Sequence, residues 1–214
     1  AARIAYQPLL RAPRLSILIS ALGLSLALQY GVEGIYGPGF ESYPSVLRGQ
    51  ALSVGGVAVT ISQLVAVAAA VVLMMTLDHF VRRTVLGTAM RALAMDQDAA
   101  RLMGIDVERV ILLTFFIGTA LAAAAGFMSG LYYGQISFLM GFILGLRAFT
   151  AAVLGGIGNI PGAMVGGFLI GLLESYASGY GSGTWKDVAV FGVLIAVLVV
   201  RPSGIFGERA VERV

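Results

Sequence analysis

Val110–Tyr132 reads VILLTFFIGTALAAAAGFMSGLY and carries no ionisable side chain. An α-helix rises about 1.5 Å per residue, so roughly 20 apolar residues cross the hydrocarbon core of a bilayer. The stretch therefore predicts a transmembrane helix. Working outward from it, five further segments qualify or nearly do: about Leu15–Tyr30, about Thr60–Leu77, two within Phe138–Tyr176, and about Trp185–Val200. Phe138–Tyr176 is too long for one crossing. Its break falls at Gly155-Gly156-Ile157-Gly158-Asn159-Ile160-Pro161, where glycine and proline oppose a continuous helix. Trp185 stands where an interfacial aromatic belongs.

Composition agrees with the spans. Of the 214 residues 58% are apolar and only 12% charged, and the mean hydropathy is +0.92. A soluble domain carries about 25% charged residues, so this chain cannot cover its surface with ionic groups. The expected fold is an all-α integral membrane protein, a polytopic bundle of about six transmembrane helices. Disorder, nucleic-acid binding and a disulfide-stapled secreted domain are excluded. The absence of cysteine removes thiol nucleophiles and thiolate metal sites.

The arginines set an orientation, because basic residues concentrate in cytoplasmic connections. Arg3, Arg11 and Arg14 precede the first span, Arg82, Arg83, Arg91, Arg101 and Arg109 lie in the connection 78–109, and Arg201, Arg209 and Arg213 follow the last span. The connection 31–59 holds only Arg48, and 177–184 has no basic residue. Six crossings starting inside place every basic segment in the cytoplasm. The opening Ala1–Arg14, with three arginines and two prolines, reads as a cytoplasmic loop and not as a secretory signal, and residues are expected upstream of it. Gln50 to Thr60 alternates in character and reads as either an external hairpin or an unstructured connector.

Fifteen of the 29 glycines lie between Gly126 and Gly183, many four apart. Small residues one turn apart let helix backbones approach closely in a membrane. Gly155, Gly156, Gly158, Pro161 and Gly162 are candidates for helix packing and for gating by sliding or rocking helices.

No residue is assigned a catalytic or metal-binding role. His79 beside Asp78 has no second histidine or cysteine to complete a metal site. There is no nucleophile elbow and no phosphate-binding glycine loop before Lys186, the single lysine. Two ionisable residues stand inside spans, where charge is costly: Arg147 and Glu174. Their spans are consecutive and antiparallel, so the two are expected to form an ion pair; the rival role is lining a translocation path. Tyr132, Tyr133 and Gln135 read as interfacial anchors or as an outer mouth.

The connection 78–109 concentrates ten of the 25 charged residues. Thr88–Met103 contains no breaker and reads as one helix, with Met90, Leu93, Ala94 and Leu102 on an apolar side and Arg91, Asp96, Asp98 and Arg101 kept wet; Gly104 stops it. A helix with mixed faces suits docking into a partner's groove, or lying on the membrane surface.

Asp98-Ala99-Ala100-Arg101-Leu102-Met103-Gly104, with Gly87, Arg91 and Ala92 upstream, resembles the Glu-Ala-Ala-x-x-x-Gly coupling loop of ABC-transporter permeases. Asp98 replaces the signature's glutamate. Ala148–Ala163, containing Leu154-Gly155-Gly156-Ile157-Gly158-Asn159-Ile160-Pro161-Gly162, closely resembles bacterial branched-chain amino-acid permeases of the LivH type, as do Lys186-Asp187 and Arg201–Gly207. The likeness covers essentially the whole chain, and family members are longer, so 1–214 is expected to be one permease domain, the C-terminal two thirds or so, with 78–109 as its coupling loop.

The resemblance implies a permease subunit of an ATP-driven importer for leucine, isoleucine or valine in the bacterial plasma membrane. It implies two ATPase subunits, a second permease subunit, an external amino-acid-binding protein and surrounding lipid as partners, and no nucleic acid. It implies no cofactor on this chain, ATP being hydrolysed in the partners. Gly104 would end the coupling helix, and Ala99 and Ala100 would fit it closely into the ATPase. Two alternatives stay open: a urea or short-chain amide permease of the same family, and a proton-coupled secondary transporter, for which Glu174 is the acidic candidate.

Overall fold

A computed structural model describes residues 14–44, 50–54, 57–180, 185–201 and 203–207. Arg3, Arg11, Arg48, the Gly55-Gly56 connection, Pro202, Arg209 and Arg213 lie outside them, as do the side chains of Trp185, Lys186 and Asp187. The chain divides into two compact units, Ala1–Met140 and Gly141–Val214.

In the first unit the elements run α1 (Arg14–Tyr36), β1 (Glu41–Ser42), β2 (Gln50–Val54), β3 (Val57–Thr60), α2 (Ile61–Arg83), α3 (Val85–Met95), α4 (Gln97–Leu102), α5 (Val107–Tyr133) and β4 (Gln135–Ile136). The second unit holds α6 (Met140–Gly155), α7 (Ile160–Tyr180) and α8 (Trp185–Val200). Each expected span coincides with a helix. By length and composition α2, α5 and α7 are each sufficient to cross a membrane. At 16 residues, α6 and α8 are shorter. The spans leave large apolar side chains uncovered, among them Phe116, Phe149 and Phe168. Water would penalise such a surface, whereas lipid or neighbouring helices would cover it.

Two short antiparallel pairings complete the first unit. β2 and β3 form a hairpin with Leu52 opposite Val59 and Val54 opposite Val57, so of the two readings of Gln50–Thr60 the hairpin is the one found. β1 pairs with β4, Glu41 opposite Ile136 and Ser42 opposite Gln135, tying the connection after α1 to the end of α5. Gly134 makes that junction: its φ of +67° is the left-handed conformation glycine adopts without strain, and its N–H donates to Gly130 O at 2.9 Å. Tyr43 closes over the same place, edge-on to Phe127.

The second unit is centred on Ala151, Ile170 and Val190, one residue from each helix. Leu154 and Thr150 are its most deeply buried side chains, at 1% exposure each. Thr150 meets its polar requirement within α6 by donating to Leu146 O at 2.9 Å.

Candidate functional site

The connection between α2 and α5 is two helices and not one. The expected single helix Thr88–Met103 is interrupted at Asp96, whose backbone is extended (φ −156°, ψ 115°). The physical reason lies in its carboxylate: Asp96 Oδ1 accepts from the N–H groups of Asp98 at 2.9 Å and Ala99 at 3.0 Å, starting α4 afresh. A short acidic side chain satisfies the first N–H groups of a new helix better than it supports the middle of an old one. The same device recurs at both ends of the connection. Thr84 Oγ1 accepts from Gly87 N–H at 3.0 Å to open α3, and Asp106 Oδ1 accepts from Arg109 N–H at 3.2 Å to open α5. Gly104, at φ +82°, stops α4 as expected.

These caps fix the angles between short helices, and close packing fixes their distances. A Cβ on Gly87 would fall 2.3 Å from Val81 O, so only glycine lets α3 fold back onto the end of α2. Ala100 is 4% exposed. The resemblance has it fit closely into a partner; in this chain by itself it is already covered where α4 packs on α5. Met90 and Leu93 are half-buried and Ala92 is partly covered, whereas Arg91, Ala94, Asp98 and Ala99 are exposed. Of the expected large apolar residues Leu102 is the one offered outward, together with Val85, Met95 and Met103, 82–89% exposed. Asp98 pairs with Arg101 at 3.4 Å, and Arg109 with Asp106 at 2.8 Å. Asp78 pairs with Arg82 at 2.8 Å and not with His79.

The second constellation is the α6–α7 hairpin. Arg147 Nε stands 3.0 Å from Glu174 Oε1, with both side chains about four-fifths buried (21% and 20% exposed). The glycines at the base of the hairpin explain how the helices come this close. A Cβ on Gly155 would lie 2.1 Å from Gly162 O, and one on Gly166 would lie 2.3 Å from Ala151 O. Backbone meets backbone there. Gly141, Gly145 and Gly171, farther along the two helices, have open space at the Cβ position and mediate no such approach. Pro161 falls in the first turn of α7, where its missing N–H leaves no helix bond unmade.

Sequence reasoning missed what happens at the turn between these helices. After α8 the chain bends at Gly204 (φ +83°) and lies across the end of α6. Ile205 N–H donates to Leu154 O at 2.9 Å, and Phe206 N–H to Gly155 O at 3.1 Å. These are carbonyls that the end of a helix ordinarily leaves unpaired. Asn159 joins both sides: its Oδ1 accepts from Gly162 N–H at 3.0 Å, and its Nδ2 donates to Phe206 O at 3.1 Å. Gly156 (φ +104°) and Gly158 (φ +94°) make the turn itself, and a Cβ on Gly156 would lie 2.4 Å from Gly207 N. The cap was legible, since Asn stands just before Ile-Pro at a helix start. The clasp to Phe206 had no local signal. Among the described residues, no group of three or more His, Asp or Glu side chains gathers that could hold a metal ion.

Long apolar helices, a charged connection folded into capped short helices, and a charge pair within a glycine-packed hairpin define a multi-pass helical membrane protein. The chain belongs to the family described as branched-chain amino acid transport system, permease component, whose profile matches residues 3–198. It is 45% identical, over 217 aligned positions, to the high-affinity branched-chain amino acid transport system permease protein LivH of Escherichia coli strain K12, covering 99% of this chain and 70% of LivH. It is 43% identical to the corresponding permease BraD of Pseudomonas aeruginosa, again over 99% of this chain and 70% of the relative. The xylose transport system permease protein XylH of Escherichia coli strain K12 is 32% identical over 55% of this chain. No solved structure matches.

Proposed function

We propose that this chain is the membrane-spanning permease subunit of an ATP-driven importer of leucine, isoleucine and valine. The observation that carries the reading is the 45% identity to LivH over 99% of the chain. In this reading the protein lies in the bacterial plasma membrane with the α2–α5 connection in the cytoplasm. It pairs with a second, different permease subunit, receives substrate from an external binding protein, and is driven by two soluble ATPase subunits. The chain binds no cofactor of its own, ATP being hydrolysed in the partners.

The role of the α3–α4 connection follows from its construction. Met95, Leu102 and Met103 present apolar surface outward, with Asp98 and Arg101 beside them to fix register on a partner. The caps at Thr84, Asp96 and Asp106 hold the joints, so a push on α4 passes to α2 and α5 instead of being absorbed by unwinding. Coupling also requires the ATPase to contact this surface differently in its two states, since a partner that binds both equally shifts nothing. Arg147 and Glu174 act as an internal tie, because a lone charge of either sign would be expensive in the spans.

The test is the complete transporter in proteoliposomes, with ATP-dependent uptake of labelled leucine measured against competing isoleucine, valine and urea. Leucine uptake that requires ATP and is blocked by isoleucine and valine supports the reading. Uptake of urea without leucine would replace it with the short-chain amide permease. Uptake driven by a pH gradient without ATP would replace it with the secondary transporter.

A further inference from the structure

The stretch of chain after α8 is bonded to the end of α6. Leu154 O and Gly155 O, at the C-terminus of α6, take the N–H groups of Ile205 and Phe206, and Gly204 is packed so tightly that a Cβ would lie 2.6 Å from Val153 O. One side chain links this strap to the start of α7. Asn159 must orient its amide oxygen toward Gly162 N–H to cap α7, and that leaves its Nδ2 facing Phe206 O. Each half of the amide is therefore committed to a different element, and neither half can be exchanged without losing one bond.

We propose that Asn159 is a positioning residue which clasps the Gly204–Gly207 strap to the α6–α7 turn. The turn and the end of α8 then move as one body during transport, carrying the Arg147–Glu174 hairpin with them. Three helices meet at this point: α6 through its last carbonyls, α7 through its cap, and α8 through the strap that continues it. Ile157, at the tip of the turn, and Val199, near the end of α8, are both 78% exposed and report on the two sides of the clasp. The transport cycle invoked rests on the importer reading, but the clasp itself does not.

The clasp and the cap are separable by substitution. Asn159→Asp keeps an acceptor for Gly162 N–H, favoured at a helix N-terminus, and turns an acceptor oxygen toward Phe206 O where a donor stood. Asn159→Ala removes both bonds. Hydrogen exchange on the complete transporter is expected to show the Ile205 and Phe206 amides at least tenfold faster in N159D, while the first amides of α7 stay as protected as in the parent. A role in capping alone predicts that N159D exchanges like the parent and that only N159A differs, and that result would overturn the clasp.

The second arm places spin labels at Ile157→Cys and Val199→Cys in a transporter cleared of other reactive cysteines, these 214 residues contributing none. Their separation is expected to stay constant, within about 2 Å, between the nucleotide-free and ATP-trapped transporter, and to broaden in N159D. A shift of several ångströms in the parent between the two states would overturn the one-body claim. Failure of the importer reading is a different result, since it appears as absent ATP-dependent uptake in the parent while the exchange measurement still decides the clasp.

Discussion

Arg147 and Glu174 face each other at 3.0 Å from helices that run in opposite directions out of a glycine turn. Both charges lie within apolar helices, where removing one partner strands the other. Arg147→Leu or Glu174→Leu alone is expected to destabilise the fold by about 3 kcal/mol, the scale for breaking a buried pair. The double replacement should cost less than the sum of the two. Thermal melting of the purified transporter in detergent measures this, and strictly additive losses would show that the two residues act independently.

The glycines divide into those that touch and those that do not. Gly166→Val drives a side chain into Ala151 O, where even a Cβ would sit at 2.3 Å. It is expected to cost about 1–3 kcal/mol as overpacking does, and more if α6 and α7 separate. Gly145→Ala, with nothing within 4 Å of the new Cβ, is expected to be neutral or slightly stabilising. Equal melting temperatures for the two variants would refute the assignment of the hairpin contact to Gly155, Gly162 and Gly166.

If the importer reading holds, docking and folding are expected to separate at the α3–α4 connection. Leu102→Asp or Met103→Asp alters a side chain more than four-fifths exposed and is expected to weaken ATPase association at least tenfold with little change in melting temperature. Ala100→Trp enlarges a buried side chain and is expected to lower melting temperature first. Co-purification with the ATPase, set beside a melting curve, tells these apart. A loss of binding in A100W with unaltered stability would return Ala100 to the partner interface.

Asp96 is the joint of that connection. Asp96→Ala removes the acceptor shared by the Asp98 and Ala99 N–H groups and is expected to cost about 1 kcal/mol, the usual worth of an N-cap. Alanine also removes the local reason for the break, so α3 and α4 should merge toward one helix and re-aim Leu102 and Met103. Faster exchange at Asp98 and Ala99, with ATP hydrolysis less well coupled to uptake, is the expected readout.

Gly204 is expected to tolerate no other residue. Its φ of +83° disfavours any L side chain, and the Cβ would meet Val153 O at 2.6 Å. Gly204→Ala should destabilise the α6–α7 turn by about 1–3 kcal/mol. An unchanged melting temperature would mean that the strap bears no part of the second unit's stability.

Much of this architecture could be read locally. Runs such as Val110–Tyr132 announce helices because a bilayer leaves the backbone no other partner than itself, and the break at Gly155–Pro161 is written in residues that oppose helix continuation. The position of Gly104 as a stop was legible for the same reason. The break at Asp96 was not, because an aspartate in a helical run either points to solvent or caps a new helix, and only the folded chain shows it capping α4. The inward burial of Ala100 likewise depends on where α5 lies, which no nearby residue states.

By itself, then, the sequence determined that this is a multi-pass helical membrane protein, where its spans fall, and which two intramembrane charges stand on neighbouring helices. Those properties follow from hydrophobicity, helix rise and the cost of isolated charge, all of which act along the chain. Tertiary structure alone decided which glycines serve as contacts, which face of the α3–α4 connection remains available, and that the segment after α8 satisfies the last carbonyls of α6. Asn159 and Phe206, 47 residues apart in the chain, are brought together by the packing of α6, α7 and α8. Their hydrogen bond is set by the spatial arrangement of those helices, which no local pattern encodes.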